Sequence, residues 1–207
     1  MTAARGGPPG LTVWLTGLGS AGKSTISRSV FESLQARGQR VEWLDGDAVR
    51  LSLSAGLGFT KSDRDENVRR IGFVAELLTR NGVIVLVSAI SPYRALRDEM
   101  RRRIGHFMEV YVHAPLEICE QRDVKGVYIR ARAGQLRHVS GLDDPYEPPL
   151  APEIVCPTYC ETPEDSAARV LAAVDAWQRT AMGAGKKGAV PEQPPREPKP
   201  ARFGAPI

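Results

Sequence analysis

The stretch Gly17-Leu18-Gly19-Ser20-Ala21-Gly22-Lys23-Ser24-Thr25 follows directly on the apolar run Leu11-Thr12-Val13-Trp14-Leu15. It fits G-x-x-x-x-G-K-[ST], a phosphate-binding loop set between a buried strand and a helix. Each position has a physical task. The glycines let the backbone curl until successive N–H groups point inward around phosphate oxygens. The helix that follows adds the positive end of its dipole. Lys23 has the reach to span the β- and γ-phosphates of ATP, and the Ser24 hydroxyl is a ligand for Mg²⁺. The motif alone leaves ATPases, GTPases and small-molecule kinases open. The guanine-reading pattern N-K-x-D does not occur in the sequence, and the remaining motifs favour a kinase.

Around this loop, short apolar runs alternate with helical patterns, the signature of a parallel sheet with helices on its faces. Strands are expected at 11–16, 40–45, 83–88, 107–112 and 153–156. A helix should run from Lys23 to about Ala36, closed by Gly38. Another should open at Ser62 as N-cap, with Asp65 three residues on and Val68, Ile71, Val74 and Leu78 on its apolar face. Thr162-Pro163 opens the last helix, which buries Val170, Leu171, Val174 and Trp177. The expected fold class is therefore α/β, a P-loop NTPase-type, mostly parallel five-stranded sheet with helices on both faces and a mobile lid. The domain is expected over residues 11–179, with a flexible N-terminus over 1–10 and a disordered Pro/Gly-rich tail over 180–207. Residues 122–149 form a long irregular stretch holding arginines, a lysine and glycines. Such a segment inside a compact domain reads as a cover over an anionic ligand, with a plain surface excursion as the alternative.

Composition narrows the partners. The chain has 207 residues, 42% hydrophobic and 25% charged, and no apolar run approaches the roughly 18 residues of a membrane span. No signal peptide is read at MTAARGGPPG, so a cytoplasmic location without membrane partners is expected. The net charge of +4 and pI of 9.1 raise nucleic acid as a partner, but the basic residues are scattered, and Arg101-Arg102-Arg103 reads as a solvated helix face. A small nucleotide accounts for them as well. Cys156 and Cys160 lack a matching second pair, and three cysteines make no disulfide framework.

The second strand ends in Asp45-Gly46-Asp47, followed by Ala48-Val49-Arg50. Ligands of open parallel sheets bind beyond the carboxyl ends of the strands, where two acids can serve Mg²⁺ and accept a proton from an attacking hydroxyl. Arg64 and Asn67, three apart, share one face near the start of the next helix, suited to an anion and a polar base or ribose. The third strand runs out into Ser88-Ala89-Ile90-Ser91-Pro92-Tyr93-Arg94, adding a hydroxyl and an arginine to the rim.

From about Leu11 to Trp177 the chain resembles the adenylylsulfate kinases. The blocks that carry this are GLxxxGKST, LDGD-x-VR, LGF-x-x-x-DR-x-EN-x-RR, ISPYR, EVYV-x-APLE-x-CE-x-RD-x-KG-x-Y and ARAG…GLDDPYEPP, in that order. The resemblance implies transfer of the γ-phosphoryl group of MgATP to the 3′-hydroxyl of adenosine 5′-phosphosulfate. By position it implies Asp47 as the base or hydroxyl-orienting acid, and Asp45 as support for Mg²⁺ or the local geometry. It implies Arg50, Phe59, Arg64, Asn67, Ile90 and Ser91 around the acceptor, with Arg50 and Arg64 near its sulfate–phosphate end. Ser91 aligns with a serine described in that family as forming a phosphoenzyme; in-line transfer needs no covalent step, so a structural turn is the other reading. Lys125 resembles the lid lysine near the phosphates, and Arg122 is placed toward the ATP base or phosphate. The resemblance is compatible with a homodimer and with functional coupling to an ATP sulfurylase.

Three positions depart from the family pattern: Ala48 for asparagine, Ala89 for phenylalanine and Val139 for an aromatic. Loss of two aromatic faces matters because base stacking contributes roughly 1–3 kcal/mol per base. This keeps two alternatives open: a kinase of another nucleotide conjugate with an anionic 5′ group, and a non-catalytic nucleotide-binding module.

Overall fold

The computed structural model describes residues 9–184. Among them, five strands form one sheet in the order β2-β3-β1-β4-β5, every neighbouring pair parallel. The strands are β1 (Leu11–Thr16), β2 (Val41–Asp45), β3 (Ile84–Ser88), β4 (Phe107–His113) and β5 (Ile154–Pro157). The helices are α1 (Lys23–Ala36), α2 (Gly46–Leu51), α3 (Lys61–Arg80), α4 (Arg94–Ile104), α5 (Leu116–Arg122), α6 (Val127–Arg132) and α7 (Pro163–Ala184).

The period-2 alternation of the strands splits the core into two layers. Leu11, Val13 and Leu15 of β1 face α1 and α7, meeting Ile26, Val30, Val170 and Val174. Trp14, with Val85 and Val87 of β3, faces α3 and α4, meeting Val68, Ile71 and Met100. Thr12 on this second face satisfies its hydroxyl against Thr79 at 2.7 Å. β1 is central, and the chain leaves it first toward β2 and β3, later toward β4 and β5. The crevice at its carboxyl end is therefore the switch point at which such sheets bind ligands.

Two expected boundaries are corrected. α3 is capped by Thr60 with Asp63, a reciprocal capping box, and not by Ser62 with Asp65. Both pairs satisfy the same spacing, and the earlier one captures the chain; Ser62 Oγ merely meets Thr60 Oγ1. The last helix continues to Ala184, past the expected limit near Thr180. Gly10, expected to be loose, is buried: a Cβ there would lie 2.2 Å from the Thr79 carbonyl. The remaining expectations for the termini, over 1–8 and 185–207, lie outside the described residues. The arginine run of α4 lies on the surface as expected, with Arg102 and Arg103 exposed, and carries ion pairs there. Arg101 bonds Glu153 at 2.5 Å and Arg103 bonds Glu76 at 2.5 Å. The three cysteines are free thiols, as expected. Among the described residues no helix is long and apolar enough to cross a membrane.

Candidate active site

β1 ends at Thr16, and the loop that follows can be built only on glycine at its first position. Gly17 has φ +152°, and a Cβ there would sit 2.2 Å from the Val112 carbonyl of β4. Ser20 at φ +57° and Gly22 at φ +106° complete the curl into α1. Lys23 folds back over the loop and donates to the carbonyls of Gly17 at 2.9 Å and Leu18 at 2.6 Å. Burial lowers its pKa to about 8, with Cys119, Asp47 and Asp45 opposing that shift.

At the carboxyl end of β2, Asp45 caps α2 by accepting from the Asp47 backbone N–H at 3.0 Å. Its other oxygen accepts from Ser24 Oγ at 2.6 Å. The cap turns Asp47 toward the cavity, where Lys125 from the 122–149 segment forms an ion pair with its carboxylate. Both partners are exposed, 64% for Asp47 and 58% for Lys125.

One cavity of about 980 Å³ joins these groups to the acceptor-side residues. Gly19, Ser20, Gly22, Lys23, Ser24 and Thr25 line one part of it. Asp47, Arg50, Phe59, Arg64, Asn67, Ile90 and Ser91 line another, and Arg122 and Lys125 also face it. Of the residues singled out in the sequence, Gly17, Leu18, Ala21, Asp45, Ala48 and Arg94 do not line the cavity; Arg94, expected on the rim, pairs with Glu147 instead. Gly17 and Leu18 act through their carbonyls, Asp45 through Ser24 and the α2 cap, while the Leu18 side chain lines a neighbouring groove beside Gly141.

The acceptor-side arginines are already engaged. Arg50 donates to the Gly58 carbonyl at 2.8 Å and lies 4.3 Å from the Phe59 ring centre. Arg64, buried, donates to the Phe59 carbonyl at 3.1 Å and to the His138 carbonyl, with Asp144 3.7 Å away. Arg64 thus ties α3 to the 122–149 segment as well as facing the cavity. Asn67 is 93% buried by difference from its 7% exposure, and its Oδ1 has no hydrogen-bond partner among the described residues. It is the one acceptor-side amide left free to accept from a ligand.

Ser91 is held from behind. Its Oγ accepts from the Trp14 indole at 3.0 Å, and its backbone sits at φ +45°. That conformation costs a non-glycine residue on the order of 1 kcal/mol or more. The aromatic gap inferred from Ala89 and Val139 is real, since both small side chains line the cavity, but the cavity is not without an aromatic face. Phe59, 52% exposed, supplies one.

Some lining residues escaped the sequence reading. Thr158, the first residue beyond β5, accepts from Arg122 at its carbonyl at 2.6 Å and donates from Oγ1 to the Ala21 carbonyl at 2.7 Å. The rule applied to β2 and β3, that ligands lie past strand ends, would have found it. Tyr128 donates from its hydroxyl to the Gly19 carbonyl at 3.2 Å, and an aromatic in the arginine-rich stretch carried no such signal. That stretch is also less irregular than expected, containing α6 over Val127–Arg132.

The comparisons with known proteins agree on one family. The model of the family described as Adenylylsulphate kinase matches residues 9–157. An adenylyl-sulfate kinase of Microcystis aeruginosa is 63% identical over 161 residues, 78% of this chain and 89% of the relative. The APS kinase of Mycobacterium tuberculosis in complex with AMPPNP and APS superposes with a TM-score of 0.77 at 41% identity, covering 81% of this chain and 99% of that one. A hexameric APS kinase from Thiobacillus denitrificans gives 0.64 at 34% identity, covering 83% of this chain and 30% of that one.

Proposed function

The chain belongs to the adenylylsulfate kinase family, and on that premise we propose how its own residues carry the reaction. The enzyme transfers the γ-phosphoryl group of ATP to the 3′-hydroxyl of adenosine 5′-phosphosulfate. The acceptor oxygen forms the new bond to phosphorus, the bond to the β–γ bridging oxygen breaks, and ADP leaves. The observation that carries the assignment of roles is that Lys23, on the phosphate cradle, and Asp47, in the first turn of α2 just beyond β2, open into one cavity.

Lys23 leaves its two carbonyls for the β- and γ-phosphate oxygens, and the loop amides hold the rest of the chain of phosphates. Ser24 and Asp45 bring one neutral and one anionic oxygen together at the head of α1. This is the hard-oxygen donor set Mg²⁺ takes, so the residues fit that ion. When bound, Mg²⁺ supplies charge neutralisation across the phosphates. Asp47 orients the acceptor hydroxyl and takes its proton. Arg50 and Arg64 receive the anionic 5′ end, Asn67 a polar group of the base or ribose, and Phe59 stacks on the acceptor. Ile90 and Ser91 form the acceptor wall; Ser91 is a structural turn, its hydroxyl oxygen already engaged by Trp14. Arg122 meets the adenosine end of ATP beside Thr158, and Lys125 moves from Asp47 to the phosphates as the 122–149 lid closes and excludes water. Residues 11–179 as the catalytic unit, a cytoplasmic setting, a homodimer and coupling to a sulfurylase belong to the same reading.

The test is an acceptor panel with γ-labelled ATP, the product position assigned by NMR. The reading expects 3′-labelled product from adenosine phosphosulfate, far ahead of AMP, ADP and other nucleotides. A different preferred nucleotide supports the alternative conjugate, and ATP binding without turnover supports a binding module.

The lowered pKa of Lys23 gives a separate prediction. Below about pH 7 the ammonium is already charged, so ATP binding takes up no proton there. Bound phosphates raise the pKa, so near pH 8 binding draws in a fraction of a proton, and affinity falls as pH rises further. Titration calorimetry in two buffers of different ionisation enthalpy measures the uptake. With ATP titrated as its Mg²⁺ complex, the apparent enthalpies in the two buffers should agree at pH 6.5 and differ clearly at pH 8.2.

A further inference from the structure

The wall Ile90-Ser91-Pro92 faces the cavity with small groups, yet it is anchored almost atom by atom from its far side. Thr16 donates from Oγ1 to the Ile90 carbonyl at 2.7 Å, and Trp14 donates to Ser91 Oγ. The Glu147 backbone N–H donates to the Pro92 carbonyl at 2.9 Å, and the Glu147 carboxylate accepts from the Arg94 N–H at 2.8 Å. Burial raises the pKa of the Tyr146 hydroxyl, so it stays protonated. Because the Thr16 proton goes to Ile90, Tyr146 is the donor in the 3.0 Å contact between their oxygens.

Arg97 of α4 lies behind all of this, 2% exposed and outside the cavity. Its guanidinium reaches three separate elements. Nη1 donates to the Ser91 carbonyl at 2.6 Å, Nη2 to the Glu147 carbonyl at 2.7 Å, and Nε to Glu109 of β4 at 2.7 Å. Glu109 is in turn fixed, its backbone N–H donating to Glu153 at 2.6 Å. A rigid five-donor fork suits a junction of three acceptors in different directions; a single ammonium does not. Ser91, at φ +45°, is the residue most in need of such over-determination.

We infer that Arg97 is a positioning residue for acceptor binding: with Trp14, it holds the Ser91 turn in the shape that the acceptor meets. The inference rests on the kinase reading above and adds a residue that touches no substrate. It differs from a role in core stability because the groups it orients are on the acceptor side, not on the cradle.

The experiment is steady-state kinetics of Arg97→Lys, with both substrates varied and with whichever acceptor the panel above identifies. Lysine keeps the charge opposite Glu109 but cannot serve all three acceptors. The acceptor KM should rise tenfold or more while the ATP KM stays within twofold. A folded variant with an unchanged acceptor KM, or with both KM values rising by the same factor, overturns the inference. Should Arg97→Lys fail to fold, Trp14→Phe decides by the same split, since it keeps the ring against Phe107 and removes the donor to Ser91. A wild-type preference for another acceptor defeats the substrate assignment and leaves this test intact.

Discussion

Lys23→Ala should lower kcat about a thousandfold, the upper end of what removing one preorganised transition-state donor costs. The argument starts from the unliganded geometry. The ammonium is buried, and its two bonds run to the Gly17 and Leu18 carbonyls of the same loop. Those carbonyls belong to the backbone curl that surrounds the phosphates, so the charge waits at the rim of its own site and needs little reorganisation to reach the transferred group. Burial has already lowered its pKa to about 8, which means water does little to screen it. A charge in such surroundings acts strongly on the equatorial oxygens as they gain negative charge. Lys23→Arg should not rescue, because a wide planar fork cannot occupy a position fitted to two carbonyls on adjacent residues. Folding is a separate matter. A buried ammonium with a lowered pKa destabilises the folded state in its charged form, so the alanine variant should melt within a few degrees of wild type. Single-turnover transfer with a parallel thermal scan separates the two. A variant with wild-type kcat would remove Lys23 from the chemistry.

What the sequence disclosed tracks what is local in it. The strands of a buried parallel sheet are near-continuous apolar runs, and all five appear close to their expected limits because neither face of the sheet needs polar residues. The loop from Gly17 to Ser24 was readable because its function depends on backbone freedom, which leaves glycines at fixed spacing. The start of α3 was not decided, because Thr60–Asp63 and Ser62–Asp65 obey one capping rule and only packing chooses between them. Arg97 was invisible for a different reason. Its three acceptors are Ser91, Glu109 and Glu147, residues from a turn, a strand and a loop that meet only after the sheet is assembled. On an isolated helix it is one more basic residue. The engagement of Arg64 with the His138 carbonyl and Asp144 is likewise a product of tertiary folding, although its presence near the cavity followed from spacing alone.

The pairing of Asp47 with Lys125 spans 78 positions of sequence and leads to the second large effect. Asp47→Asn keeps the size of the side chain and removes its capacity to take a proton, so kcat should fall about 10²- to 10⁴-fold, the range of a positioned general base. Binding should respond in the opposite direction. In the wild type, Lys125 is held by the carboxylate in the absence of nucleotide; both groups are largely exposed, and such pairs contribute about 0–1 kcal/mol. That is weak enough for phosphates to win the lysine, yet it opposes their doing so. Asparagine removes the competing charge, so ATP affinity should be unchanged or rise up to about fivefold, the ceiling set by that energy. The double variant Asp47→Asn/Lys125→Met should lose this gain, because nothing remains to be released, and a thermodynamic cycle of ATP affinities isolates the coupling. Fast chemistry in Asp47→Asn would exclude the carboxylate as proton acceptor. Weaker ATP binding in that variant would mean instead that the acid helps hold the nucleotide, and that Lys125 does not move between the two.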